Sequence, residues 1–250
     1  MKKLLFGAYS LDIGGIEKAL VILVNKLQEK GYDITLVLEK KQGIFLNEID
    51  PKIKIIEYAP SNSKNKIQRK IINLIKRIKF TLKYKNKYDF SASFATYSLP
   101  ASFIARTASK NCYLWGHADY LTLFDGNAEK MKEFFIERNF DKFKKIIFVS
   151  SGGTVYGEHE CSPILESDSK DPICNYGIIK ELIEKYLNLY SLYYGIDYKV
   201  LRLANPYSEV VKKGKKQGII PILIEQLMNN ETIKIWGDGN DVRDYIHIQD

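Results

Sequence analysis

Tyr176 and Lys180 stand four residues apart in NYGIIKELIEKYL, a segment that reads as a helix, so the two share one face. An ammonium beside a phenol favours the phenolate and lowers its pKa from an ordinary value of about 10. The pair is therefore a candidate proton acceptor. Tyrosine is abundant here, with 17 in the chain, and a surface pair is the plain alternative. Upstream, KIIFVSSGGTVYGEHE brings an apolar strand into Ser150, Ser151, Gly152, Gly153 and Thr154, a cluster of hydroxyls and glycines. His117, one of three histidines, lies next to Asp119–neighbouring residues of LWGHADY, at the carboxyl end of an expected strand. A histidine so placed can exchange a proton or bond a substrate hydroxyl; a satisfied structural histidine is the alternative. Gly14 and Gly15 in SLDIGGIEK precede a helix start, where close backbone approach and free N–H groups suit a phosphate. Glu17 on the first helical turn would repel one, and a simple strand-to-helix turn reads equally from the loop.

Alternating strand and helix signals position these residues. Strands are expected at 3–9, 33–38, 53–58, 89–94 and 111–115, with another at 146–149. Helices are expected at 16–30, 65–83, 99–109 and 127–143, and Gly31 stands where the first would be capped. Such βα units predict an α/β fold: a Rossmann-like doubly wound parallel sheet, followed by a small, incomplete C-terminal substrate-binding lobe. Ligands of these sheets bind at the carboxyl ends of the strands.

Composition bounds the reading. The chain has 250 residues, 45% hydrophobic and 27% charged, which supports a core and excludes general disorder. Three cysteines without CxxC spacing argue against a disulfide framework or a zinc site, no metal is expected, and the usage suits a reducing cytoplasm. No apolar run approaches the roughly 20 residues that span a bilayer. The net charge of +8 divides unevenly, with +12 over residues 1–150 and −4 over 151–250. Residues 64–87 hold ten Lys or Arg and no acid, with Ile67, Ile71, Ile75, Ile78 and Leu82 on one helical face. A basic amphipathic helix of this kind can lie on an anionic membrane surface, which would make the protein peripheral at the inner face of the membrane and suit a lipid-linked acceptor. The alternative is a helix packed on the sheet with a solvated outer face. Nucleic acid is not expected as a partner, since no recognised motif accompanies the charge.

Two families are resembled. LDIGGIEKALVILVNKLQEKGYDITLVL with LWGHADY looks like the acceptor-side domain of family 4 glycosyltransferases, over residues 1–149. That resemblance implies Gly14 and Gly15 beside donor phosphates and His117 near the reacting sugars. SSGGTVYG, NYGIIK, DYKVLRLANPYSEV and KQGIIPILIEQLMNNETIKIWGDGNDVRDYIHIQD resemble the NAD-dependent nucleotide-sugar epimerases and dehydratases, extended short-chain dehydrogenases/reductases, over residues 145–250. That resemblance implies NAD as cofactor and a UDP-sugar substrate. It makes Tyr176 the acid/base and gives Lys180 the nicotinamide ribose. Asn205 would contact the nucleotide sugar, Arg243 would pair with the diphosphate, and Gly218 would belong to the substrate-side loop. The family usually carries Ser or Thr where Gly152 stands, so Ser151 and Thr154 are the substitutes. Its GxxGxxG loop and the acid after its second strand are not found in residues 1–144.

The two resemblances meet between residues 144 and 151. The expected organisation is therefore a glycosyltransferase-like Rossmann domain at 1–145 and a truncated epimerase/dehydratase part at 146–250. The expected activity is that of a nucleotide-sugar enzyme of bacterial surface-polysaccharide biosynthesis, impaired by the missing glycine loop. A family 4-like glycosyltransferase and a non-catalytic chimera are the alternatives.

Overall fold

In the computed structural model of the chain, the described residues are all but 96–97, 117–127, 159–162, 208–217, 234–236, 241 and 250. Strands and helices alternate through β1 (Lys3–Ala8), α1 (Gly15–Glu29), β2 (Asp33–Leu38), β3 (Lys54–Glu57), α2 (Lys66–Tyr84), β4 (Phe90–Ser93), α3 (Leu99–Ala108) and β5 (Cys112–Gly116). Then come α4 (Ala128–Glu137), β6 (Lys145–Ser151), α5 (Asn175–Tyr194), β7 (Asp197–Leu203), β8 (Asn205–Tyr207), α6 (Ile219–Met228) and β9 (Tyr245–His247). Seven strands form one sheet in the order β3-β2-β1-β4-β5-β6-β7, and the pairings from β3 to β6 are parallel. This is the Rossmann-like α/β architecture expected from the sequence. The chain divides into two compact units, Met1–Phe148 with Lys185–Val200, and Val149–Glu184 with Leu201–Asp250.

In the first unit the sheet is buried on both faces, which is why β1 and β2 read as continuous apolar runs. Leu4, Phe6, Leu36 and Leu38 pack with Leu20 and Val24 of α1. Leu5 and Val37 face the other way, onto Phe80 and Tyr84 of α2 and Ile104 and Ala108 of α3. Helix α1 ends as the sequence predicts. Gly31 takes φ +83, its N–H donates to the Gln28 carbonyl, and the Tyr32 N–H donates to the Leu27 carbonyl. That is a Schellman cap, and only glycine enters it without steric cost. Helix α2 is capped by Asn65, whose side chain accepts from the Ile67 and Gln68 N–H groups.

The expected helix at 127–143 is shorter. Asn139 adopts a left-handed conformation at φ 52, and a single 3₁₀ turn, Phe140–Lys142, follows. The junction expected at 144–151 falls inside β6, whose first residues pair in register with β5, Tyr113 against Lys145 through Gly116 against Phe148.

The second unit has a thin apolar core. Val155 and Tyr156 are its buried hydrophobic residues among those described, whereas Ser150, Lys180 and Glu184 are also buried. None of the described side chains of α6 is buried, and Ile219, Ile224, Leu227 and Met228 are exposed. Strands β8 and β9 form a separate parallel pair, with Asn205 against Tyr245 and Tyr207 against His247.

Candidate active site

Strand β6 ends at Ser151 and the chain turns tightly through Gly152 and Gly153 to Thr154. The N–H groups of Thr154 and Val155 both point back to the Ser151 carbonyl, at 3.5 and 3.3 Å. Gly152 is required by packing. A Cβ there would stand 2.9 Å from the Arg202 carbonyl oxygen and 3.3 Å from that of Leu203, while its N–H donates to Leu203 at 2.7 Å. The hydroxyl residue usual at this point therefore has no room. Ser151 is half-buried at the strand end. The Thr154 Oγ1 is buried and has no hydrogen-bond partner among the described atoms. An unsatisfied buried hydroxyl is costly, and this one stands in the loop expected to meet a ligand.

Helix α5 lies hard against that turn. At Gly177 a Cβ would run into the Thr154 carbonyl and stand 2.8 Å from Pro172 Cβ, so Tyr176 is held where a glycine lets the helix approach. One helical face carries Tyr176, Lys180 and Glu184, at i, i+4 and i+8. Lys180 is 2% exposed. Its Nζ donates to the Val149 carbonyl at 2.9 Å and lies 5.4 Å from the centroid of the Tyr176 ring. Tyr176 itself is 48% exposed. A buried ammonium thus lies beside the ring of a half-exposed tyrosine.

Glu184 anchors the far end of the face. It accepts from Ser150 Oγ at 2.5 Å, from Lys170 Nζ at 3.1 Å, and from Arg202 Nη2 at 2.9 Å with Nε at 3.2 Å. Burial pushes the Glu184 carboxyl up, but the Arg202, Ser150 and Lys170 bonds together outweigh it and hold the group below the ordinary carboxylate range. Arg202 is shifted up, chiefly by Glu184, and also donates to Tyr156 Oη at 2.6 Å and the Glu166 carbonyl at 2.9 Å. Sequence reading missed this network. Glu184 could have been found as the next residue on the Tyr176–Lys180 face, but Arg202 comes from another element and carries no local signal.

Of the residues expected to hold substrate, Asn205 is brought to the serine–glycine turn, with its Nδ2 3.8 Å from where a Gly153 Cβ would be. The same Nδ2 donates to the Asp244 carbonyl at 2.8 Å. Arg243 is exposed, and its Nη1 donates to the neighbouring Val242 carbonyl at 2.9 Å. Gly218 precedes α6 at φ +88, a conformation that favours glycine.

The first unit places its expected residues differently. Gly14 is the N-cap of α1 and Gly15 its first residue, one position before the expected start at Ile16. The space beside Gly14 is filled by the Glu17 carboxylate, where a Cβ would collide with it. Asp12 lies on the same loop, accepting from Ser10 Oγ at 2.7 Å and Gln42 Nε2 at 3.1 Å. This helix start carries its own anionic groups and does not fit a diphosphate in this arrangement. His117 lies outside the described residues. One expectation is corrected: an acid does follow the second strand. Glu39 comes directly after β2, buried, with Ser98 Oγ donating to it. Burial pushes its carboxyl up, opposed by the Ser98 bond and by Lys40. A groove of about 860 Å³ in this unit opens beside Lys2, Asp89 and Asn111 at the amino ends of the strands, away from the ends where such sheets bind ligands.

The family described as "NAD dependent epimerase/dehydratase family" matches residues 22–250. A dTDP-4-dehydro-6-deoxyglucose reductase of Escherichia coli is 41% identical over 107 residues, 43% of this chain and 34% of the relative. A UDP-glucose 4-epimerase of Mycolicibacterium smegmatis is 36% identical over 107 residues, 43% of this chain and 34% of the relative. The matched stretch thus spans about a third of these relatives' length. Among solved structures, a UDP-N-acetylglucosamine 4-epimerase from Methanobrevibacter ruminantium M1, in complex with UDP-N-acetylmuramic acid, superposes with a TM-score of 0.57 at 23% identity, covering 100% of this chain and 70% of that one. The family match starts well before residue 145 and runs through the expected junction, and the glycosyltransferase likeness gains no support from these proteins.

Proposed function

The chain belongs to the NAD dependent epimerase/dehydratase family, and from that premise we propose that it binds a UDP-sugar and carries the proton-transfer half of an epimerase or dehydratase site in its second unit. The observation that carries this reading is the buried Lys180 ammonium, clamped by the Val149 carbonyl 2.9 Å away, lying 5.4 Å from the ring centroid of a half-exposed Tyr176. Tyr176 is the group so placed to accept a proton from a sugar hydroxyl. Ser151 and the unpartnered Thr154 hydroxyl are the donors on offer to the same sugar oxygen, in place of the residue that Gly152 excludes. Asn205, beside Gly153, would contact the nucleotide sugar, and the exposed Arg243 would pair with its diphosphate.

The fit to NAD is uneven. Lys180, held against the Val149 carbonyl beside Tyr176, is the residue that would meet the hydroxyls of a nicotinamide ribose. NAD, when bound, supplies a hydride acceptor. The glycine loop before α1 does not fit the cofactor's diphosphate while Glu17 occupies it. A second reading follows from that carboxylate: a chain that binds the nucleotide sugar without turnover.

Calorimetry of the full chain with UDP-glucose and, separately, with NAD tests both. Binding of UDP-glucose that weakens in Asn205→Ala, together with interconversion of UDP-glucose and UDP-galactose that Tyr176→Phe abolishes, is the expected result. Binding without interconversion leaves the second reading. Failure to bind any uridine nucleotide sinks both.

A further inference from the structure

Helix α2 presents its apolar stripe outward. At 100° per residue, Ile67, Ile71, Leu74, Ile75, Ile78 and Leu82 fall within an arc of about 100°. All six are exposed, from 46% at Ile75 to 78% at Leu82. The opposite side holds the helix to its own unit. Phe80 and Tyr84 are buried with Leu5, Val37 and Ile104. Asn73 Oδ1 accepts from the Ser61 N–H, and Lys76 Nζ donates to the Ala59 carbonyl. The stripe is therefore not spent on the core, contrary to a helix packed through its isoleucines with a solvated outer face.

Charge says what the stripe fits. Lys70 borders it on one side and Lys79 on the other, Arg77 turning back over the Phe103 ring, and residues 64–87 hold ten Lys or Arg without one Asp or Glu. A protein partner with a hydrophobic groove would not need so uniform a cationic frame. An anionic bilayer surface supplies both complements at once: an acyl boundary for the isoleucines, and headgroup phosphates for the lysines. The helix has 19 residues, and no helix among the described residues is long and apolar enough to cross a membrane. It would lie in the plane of the interface.

We propose that α2 is a membrane-surface anchor that seats this protein on anionic lipid through the Ile67–Leu82 stripe and its lysine borders. The inference rests on a different surface from the nucleotide-sugar reading and stands or falls separately from it.

The test is co-sedimentation of the full chain with vesicles of phosphatidylcholine alone, or of phosphatidylcholine with phosphatidylglycerol. The expected result is binding to the anionic vesicles only, diminished as KCl rises from tens to hundreds of millimolar. Lys70→Glu with Lys79→Glu should lower the partition coefficient about tenfold or more. Ile71→Glu with Ile78→Glu should lower it comparably by removing the inserted face. All four positions are exposed, so urea unfolding profiles matching that of the unaltered chain verify that the fold is kept. The salt titration, made on the unaltered chain, decides even if a variant fails to fold. Equal binding to neutral vesicles, no binding to either, or a stripe found occupied by a second copy of the chain in light scattering would each overturn the proposal.

Discussion

Replacing Glu184 by Gln keeps the shape of the side chain and deletes its charge. The carboxylate is almost fully buried, with 4% of its side chain exposed, and accepts from Ser150, Lys170 and Arg202. At 2.9 Å and an effective dielectric of about 20, the Arg202–Glu184 attraction alone is about 6 kcal/mol before desolvation. Breaking a buried pair by neutralising one member costs about 3–5 kcal/mol. Arg202 is 20% exposed and keeps its bonds to Tyr156 and the Glu166 carbonyl, so the loss here should be about 2–4 kcal/mol. With a urea slope of about 3 kcal/mol/M, the midpoint should fall by about 1 M. The pH dependence supplies a second readout. The folded carboxyl is held below the ordinary value of 4.5, so the unfolded chain binds more protons as the pH drops through that value. The network's stabilisation is therefore complete above 4.5 and is lost as the pH falls through the folded value. Glu184→Gln should flatten this acid limb, and adding Arg202→Met should cost less than the sum of the two single changes. A midpoint shift worth less than about 0.5 kcal/mol, or an unchanged acid limb, would refute the view that this network holds the site.

Four other perturbations separate chemistry from support. Gly152→Ser should destabilise by about 1–3 kcal/mol in urea melts, because its Cβ has 2.9 Å to the Arg202 carbonyl. Tyr176→Phe should leave the urea midpoint within about 0.5 kcal/mol, since the phenol is half exposed, and abolish any epimerisation. Lys180→Met should lose both activity and about 1–3 kcal/mol, because the Val149 carbonyl loses its donor. Glu39→Gln should raise the melting temperature at pH 8. The folded Glu39 carboxyl is pushed up by burial, so its contribution is complete below the ordinary value of 4.5 and is lost as the pH rises through the folded value.

What the sequence made legible is what local periodicity encodes. The βα alternation shows because β1 and β2 are buried on both faces and read as unbroken apolar runs. The C-cap at Gly31 shows because the geometry admits little else. Tyr176 and Lys180 show because a helix fixes i and i+4 on one side without help from the rest of the fold. Periodicity cannot say which side of a helix packs. In α2 the burial of Phe80 and Tyr84 decided that, leaving the isoleucines outside. Nor could it show that Arg202 would reach Glu184, or that the Arg202 carbonyl would leave no space beside Gly152, since both are contacts between elements. Glu39 follows β2 directly, and its burial against Ser98 is a contact between elements that carries no local signal.

The second unit fixes its site by an unusual balance. Its described buried hydrophobic residues are Val155 and Tyr156, and its buried polar ones are Ser150, Lys180 and Glu184. An apolar core would hold α5 against the β6 turn by area, which tolerates small displacements. Here the hold is made by directional bonds: Lys180 to the Val149 carbonyl, and Glu184 to Ser150 and Arg202. Both holds come from the face that carries Tyr176, one and two turns along the helix. A helix is stiff over that distance, so Tyr176, itself 48% exposed, is placed by two buried residues of its own face. The cost is sensitivity: each bond depends on a charge state or on a missing Cβ, at Gly152 or Gly177. Substitutions that alter charge on this face should therefore move Tyr176 before they unfold the chain, and apolar substitutions on the exposed surface of α6 should do neither.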